Sequence, residues 1–173
     1  MRYIILLLLL YVTSTSSFSF LADGTAYQTC ILNNGKVTCQ GKNYKGILGI
    51  GETSETVVHN RPQTVVASGA TDLACTALYI ACVIIENGNL KSWGEGTEYV
   101  TGLGTTTTKY EPTLIGSGYD AVQCGFNFCA AKKTDGKLYA WGRNSYKIFG
   151  SNTNTLKTTP NKPGPFLEHF EIP

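Results

Sequence analysis

One phrase recurs three times along the chain and limits the fold more than any other feature: NNGKVTCQG (33–41), ENGNLKSWG (86–94) and TDGKLYAWG (134–142). Recurrence at a steady spacing is the mark of a repeat architecture. In each copy an Asn or Asp precedes a glycine, at Gly35, Gly88 and Gly136. Asn-Gly and Asp-Gly between alternating residues predict two-residue hairpin turns, because both central positions need a positive φ. Six residues on comes Gly41, Gly94 or Gly142, and the stretch between alternates with period 2, placing Leu138 and Ala140 on one face. A third glycine closes GILG, TGLG and KIFG at Gly49, Gly104 and Gly150, and Pro62, Pro112 and Pro160 open the next section. The turn glycines are spaced by 53 and then 48 residues. That is too long for a helical solenoid unit and suits one four-stranded blade of a β-propeller. Thr, Val, Ile and Tyr between frequent glycines, with no helical periodicity, predict an all-β chain.

Taken in order, these residues resemble the regulator of chromosome condensation (RCC1) repeat. YQTCILNNGKVTCQGKNYKGILG follows its phrase closely, FCAAKKTDGKLYAWGRNSYKIFG well and ACVIIENGNLKSWGEGTEYVTGLG loosely. The resemblance covers about residues 27–172. Gln40 departs from it by replacing the first tryptophan, and no copy keeps the family's usual histidine. It implies a partial β-propeller of about three RCC1-like four-stranded blades, with repeats near 25–65, 66–118 and 119–172. Family members commonly close seven blades. The strand YDAVQC (119–124) opens the third repeat, and its counterpart in the first falls at 20–25, so the first repeat is expected to lack its opening strand. The tail FLEHFEIP (166–173) is the expected spare strand. It would pair with a second copy through 166–172, or mark a truncated member of the family.

The first residues are of another kind. Arg2, an apolar run from Ile4 to Val12 and then small polar residues form the pattern of a secretory signal peptide. The run is short for a membrane span. The expectation is cleavage between residues 16 and 22, leaving 23–173 as a secreted protein with no membrane segment. Six cysteines behind such a leader predict disulfides. Cys30 and Cys39 are symmetric about the Asn34-Gly35 turn and would face each other across the hairpin. Cys124 and Cys129 are symmetric about Phe126-Asn127, while Cys75 and Cys82 flank TALYIA and are less clearly opposed. The predicted pairing is Cys30–Cys39, Cys75–Cys82 and Cys124–Cys129, one of fifteen. No C-x₂-C spacing and only two histidines, His59 and His169, leave zinc poorly supported.

A formal charge of +2, scattered along the chain, offers no surface for nucleic acid. GILGIGETS (46–54) lacks the lysine of a phosphate loop. Ser117 in IGSGYD lies in no nucleophile motif. Glu52, Glu55, Glu95 and Glu98 fall on loops between strands, where a solvated face accounts for them. The reading is therefore a non-enzymatic, cofactor-free module that binds an unidentified protein through its loops at 50–61, 95–110 and 151–162. The resemblance adds two precedents: a secreted relative that inhibits an enzyme by covering its active site, and the exchange factor for a small GTPase that founded the family. Trp93 and Trp141 are expected to pack between blades. If exposed, they would favour a carbohydrate-binding propeller instead.

Overall fold

The computed structural model describes residues 19–21, 28–77, 81–150 and 156–161. Residues 1–18, where the leader is expected, and the tail 166–173 lie outside the described residues. Three four-stranded antiparallel meanders follow one another. The first holds β1 (Ser19–Leu21), β2 (Gln28–Asn33), β3 (Lys36–Lys42) and β4 (Val58–Val66). The second holds β5 (Ala70–Cys75), β6 (Ala81–Glu86), β7 (Asn89–Gly94) and β8 (Lys109–Ser117). The third holds β9 (Tyr119–Cys124), β10 (Phe128–Lys133), β11 (Leu138–Gly142) and β12 (Lys157–Asn161). Pro62, Pro112 and Pro160 all lie on the fourth strands. Those strands are sheet edges, where a residue without an N–H costs no ladder bond.

The first sheet does have an opening strand, contrary to the sequence expectation. β1 pairs with β2 through Ser19↔Leu32, Phe20↔Ile31 and Leu21↔Cys30. The connection to β2 is longer than the tight turn between β9 and β10, so the strand sits earlier than equal counting places it. It also lies inside the stretch assigned to leader cleavage.

The hairpin turns are not all alike either. Asn34 and Gly35 have φ of 48° and 78°, and Asn87 and Gly88 of 51° and 75°, as two-residue turns require. In the third hairpin Gly136 (φ 81°) alone is left-handed, Gly136 N–H donates to Lys133 O, and Lys133 N–H to Lys137 O. That is a three-residue loop, one residue longer. The cysteines differ in register as well, independently of loop length. Cys82 pairs with Trp93 and Cys129 with Trp141, yet Cys30 pairs with Cys39, one step nearer the turn than Thr29↔Gln40. Since side chains alternate faces, that single step turns Cys30 and Cys39 to the opposite side of their sheet.

The core therefore lies between sheets. Cys30, Leu32, Val37 and Cys39 of the first sheet meet Leu73, Cys75, Cys82, Ile84 and Trp93 of the second. Ala74, Val83, Ile85 and Leu90 on the second sheet's other face meet Tyr119, Val122, Cys129, Ala131 and Trp141 of the third. The sheets stack as blades, the second with one face to the first and the other to the third.

Candidate functional site

The blade boundaries are built the same way twice. After the third strand of each blade comes a short 3₁₀ turn: Tyr44–Gly46, Thr97–Tyr99 and Ser145–Lys147. A buried asparagine braces the first and third of these loops. Asn43 Oδ1 accepts from Leu48 N–H (3.1 Å), and Asn144 Oδ1 from Phe149 N–H (3.0 Å). The carbonyl after the turn then receives a tryptophan from the next blade. Trp93 Nε1–H donates to Ile47 O (2.6 Å), and Trp141 Nε1–H to Val100 O (2.9 Å). Both indoles are wholly buried, so the carbohydrate-stacking reading falls and their place is between blades.

Each indole lies on a left-handed glycine. A Cβ on Gly49 would come within 2.8 Å of Trp93 Nε1, and one on Gly102 within 2.7 Å of Trp141 Nε1. The partner of Gly49 is thus Gly102 rather than Gly104. Gly104 matches Gly51 instead: each donates its N–H to the neighbouring blade's outer strand, at Thr158 O (2.9 Å) and Tyr110 O (2.8 Å). TGLG contains both glycines, and spacing alone cannot choose between them. Gly41, Gly94 and Gly142 end their strands with φ of 121°, 99° and 94°. At Gly142 a Cβ would stand 2.6 Å from Asn127 O, so a close backbone approach excludes a side chain there. Gly150, the third of the loop glycines, has φ 67°.

All six cysteines lie at blade boundaries. Cys30–Cys39, Cys75–Cys82 and Cys124–Cys129 stand at S–S distances of 2.05, 1.99 and 2.03 Å. The first two face each other, bringing the Sγ atoms of Cys30, Cys75 and Cys82 within 4.8 Å of one another. Bound in disulfides, these sulfurs have no thiolate to offer a metal.

Asp72 is a boundary residue that sequence reading did not single out. Its Oδ2 accepts from Val122 N–H across the second boundary (2.7 Å), and its Oδ1 from Leu73 N–H (2.9 Å). Burial raises its carboxyl pKa above the ordinary 3.8, against the pull of those two N–H groups. A raised folded value means that folding favours the protonated form. The stabilisation this proton supplies is complete below pH 3.8 and is lost as pH rises through the folded value. Asp72→Asn is expected to flatten that part of the urea-midpoint profile against pH. Asp72→Ala, which leaves Val122 N–H without its acceptor, is expected to lower stability by about 1–3 kcal/mol at all pH values.

Among the described residues, two surfaces offer themselves to a partner. On the loop side Val57 and Val58 are exposed, and so is Tyr110, which lines a polar cleft of about 360 Å³ with Gly51, Lys109 and Glu111. Lys45 Nζ and Glu95 Oε1, 3.8 Å apart, tie the loops of the first two blades together. At the open end of the third blade, Phe126, Asn127, Phe128, Arg143, Tyr146 and Ile148 line a largely apolar cavity of about 330 Å³. Of the three predicted loops, 50–61 and 95–110 meet through the Gly51–Tyr110 bond, and Lys45, on the turn ahead of the first loop, reaches Glu95. Half of 151–162 lies outside the described residues. No helix among the described residues is long and apolar enough to cross a membrane.

Comparison with known proteins agrees with this architecture. The family described as Regulator of chromosome condensation (RCC1) repeat matches residues 119–148. The ultraviolet-B receptor UVR8 of Arabidopsis thaliana is 28% identical over 146 residues, 82% of this chain and 33% of that protein. The E3 ubiquitin-protein ligase HERC2 of Homo sapiens is 28% identical over 157 residues, 87% of this chain and 3% of that protein. Human WBSCR16 superposes with a TM-score of 0.68 at 23% identity, over 79% of this chain and 37% of that one. Prp20p from Saccharomyces cerevisiae, described with its binding to Gsp1p and histones, gives 0.67 at 16% identity, over 79% and 36%. The chain thus spans about a third of UVR8 and of these two solved propellers.

Proposed function

Because the chain is built from RCC1-like repeats folded as a partial β-propeller, we propose that it is a secreted protein-binding module with no chemistry of its own. Propellers of such repeats serve as protein-interaction modules, and this chain carries the scaffold for one. The observation behind the reading is the loop side: apolar Val57 and Val58 stand exposed on the first blade, and Tyr110 stands exposed where its carbonyl accepts from Gly51 N–H and ties the second blade to the first. Loops held by a rigid scaffold are where binding residues concentrate. Secretion is supported by the leader pattern and by three cysteine pairs at bonding distance, which fit an oxidising compartment.

Expression of the full chain in a secretory host tests both halves. The expected product is exported, shortened at its N-terminus and six protons lighter than the reduced mass. A protein captured from extracellular fluid is expected to be lost from a Val57→Ser, Val58→Ser, Tyr110→Ser variant that keeps the wild-type unfolding midpoint. Equal capture by both would overturn the loop-side assignment, and retention inside the cell with free thiols would overturn secretion.

A further inference from the structure

We propose that the two disulfides at the first blade boundary are an exchange pair. A thiol that opens Cys75–Cys82 sets off transfer of the neighbouring bond, and a Cys30–Cys82 disulfide then ties the first blade to the second. Distance is the first observation behind this. The Sγ atoms of Cys30, Cys75 and Cys82 lie within 4.8 Å of one another, although Cys30 belongs to the first blade and the other two to the second. Cys75 and Cys82 are bonded to each other, so their approach to Cys30 is a contact between separate disulfides. Thiol–disulfide exchange proceeds by attack of a thiolate on a disulfide sulfur within its reach.

Exposure sets the order of events. Cys75 is 8% exposed, whereas Cys30 is 1% and Cys39 and Cys82 are 0%. A thiol arriving from solvent therefore meets Cys75 first and releases Cys82 inside the boundary. Gln28, a buried glutamine, then decides what the released sulfur does. Its amide spans the two bridges: Oε1 touches Cys30 Sγ at 2.9 Å, and Nε2–H donates to Cys82 Sγ at 3.8 Å. Once Cys82 carries a negative charge, that N–H bond becomes charge-assisted and strengthens. Gln28 is thus a positioning residue that holds the freed thiolate against Cys30.

The bonds balance without an oxidant. A low-molecular-weight thiolate, such as that of glutathione, attacks Cys75 Sγ. A mixed disulfide forms on Cys75, the Cys75–Cys82 bond breaks, and the electron pair leaves on Cys82. Cys82 Sγ attacks Cys30 Sγ in turn; Cys30–Cys82 forms, Cys30–Cys39 breaks, and the pair leaves on Cys39, which takes up a proton. Cys30 is the sulfur attacked, because Cys39 stands outside the close group. Two bridges within hairpins are exchanged for one between blades. Excess dithiol removes that bond as well, so the tie belongs to conditions of limited thiol. Cys124–Cys129 packs at the other boundary and is the internal control.

The test treats the disulfide-bonded full chain with reduced glutathione, quenches with acid, alkylates, and maps the peptides without reduction. Trypsin parts Cys30 from Cys39 at Lys36, and chymotrypsin parts Cys75 from Cys82 at Tyr79. A Cys30 peptide joined to a Cys82 peptide is expected, with Cys75 glutathionylated, Cys39 alkylated and Cys124–Cys129 intact. Bridges that glutathione leaves closed would overturn the proposal, as would alkylated Cys82 beside an intact Cys30–Cys39. Scrambling that recruits Cys124 or Cys129 would also sink it. Cys75→Ser isolates the second step, since Cys82 is then free from the start, and alkylation of Cys39 is expected there. Alkylation of Cys82 alone would refute the transfer; should this variant fail to fold, the wild-type map still decides. Adding Gln28→Leu to Cys75→Ser is expected to slow the transfer about tenfold at an unchanged unfolding midpoint, as for loss of a hydrogen bond to an anion. An unchanged rate would overturn the part given to Gln28. The proposal rests on the oxidised cysteines of the secretion reading. Free thiols at the outset would overturn both, whereas closed bridges that never trade partners overturn this one alone.

Discussion

Trp93→Ala and Trp141→Ala are each expected to lower the unfolding free energy by about 3–5 kcal/mol, the usual cost of emptying a large buried aromatic site. Two losses combine. Each indole is fully buried among side chains of two blades, and each donates its N–H to a carbonyl, at Ile47 or Val100, that would be left inside the cavity. Phenylalanine separates the two. Trp93→Phe keeps most of the packing and forfeits the N–H bond, so about 1–3 kcal/mol should be lost. Because the chain holds two tryptophans, each alanine variant leaves a single tryptophan, at the other boundary. Urea titration of Trp93→Ala followed by the emission of Trp141 then asks whether the second boundary outlasts the first. An unchanged midpoint in either variant would show that the indoles do not hold the blades together. Stability here is a sum of neighbour contacts, as in other repeat stacks, and with two boundaries the loss of one is severe.

The parts of this fold that were legible in the sequence are those carried by backbone chemistry. Asn34-Gly35 and Asn87-Gly88 announce hairpins because few other residues accept both positive φ values. The burial of Trp93 and Trp141 followed from their place in a repeated strand. What stayed hidden was decided by single-residue offsets. The extra residue in the Asp135-Gly136 loop and the one-step shift of Cys30–Cys39 change which face a side chain takes, yet both leave the spacing of the phrase nearly intact. Gly102 lies two residues from Gly104, and only the approach of Trp141 tells them apart. Asp72 acts through the backbone of another blade, at Val122, fifty residues along the chain. The short β1 is held by its pairing with β2 rather than by any pattern of its own.

Reduction of the three disulfides is expected to have the largest effect of all, and an uneven one. The bridged cysteines are 9, 7 and 5 residues apart. Loops this short restrain the unfolded chain modestly, by about 2–3 kcal/mol each on the chain-entropy account. Against a typical domain stability of about 5–15 kcal/mol, losing all three removes much or most of the total. The distribution matters more than the sum. Cys30–Cys39 and Cys75–Cys82 meet at the first boundary, while Cys124–Cys129 packs alone at the second, against an aliphatic surface that includes Val83. Reduction should therefore loosen the first boundary before the second. In a Trp141→Phe background the emission of Trp93 reports the first, and in a Trp93→Phe background that of Trp141 reports the second. With increasing dithiothreitol in mild urea, the Trp93 signal should shift to the red at the lower concentration. Coincident transitions would mean that the stack unfolds as one unit, with the disulfides stabilising it irrespective of where they lie. The ordered result would instead show two sulfur pairs, set face to face by a one-residue offset in one hairpin, holding the first blade to the rest.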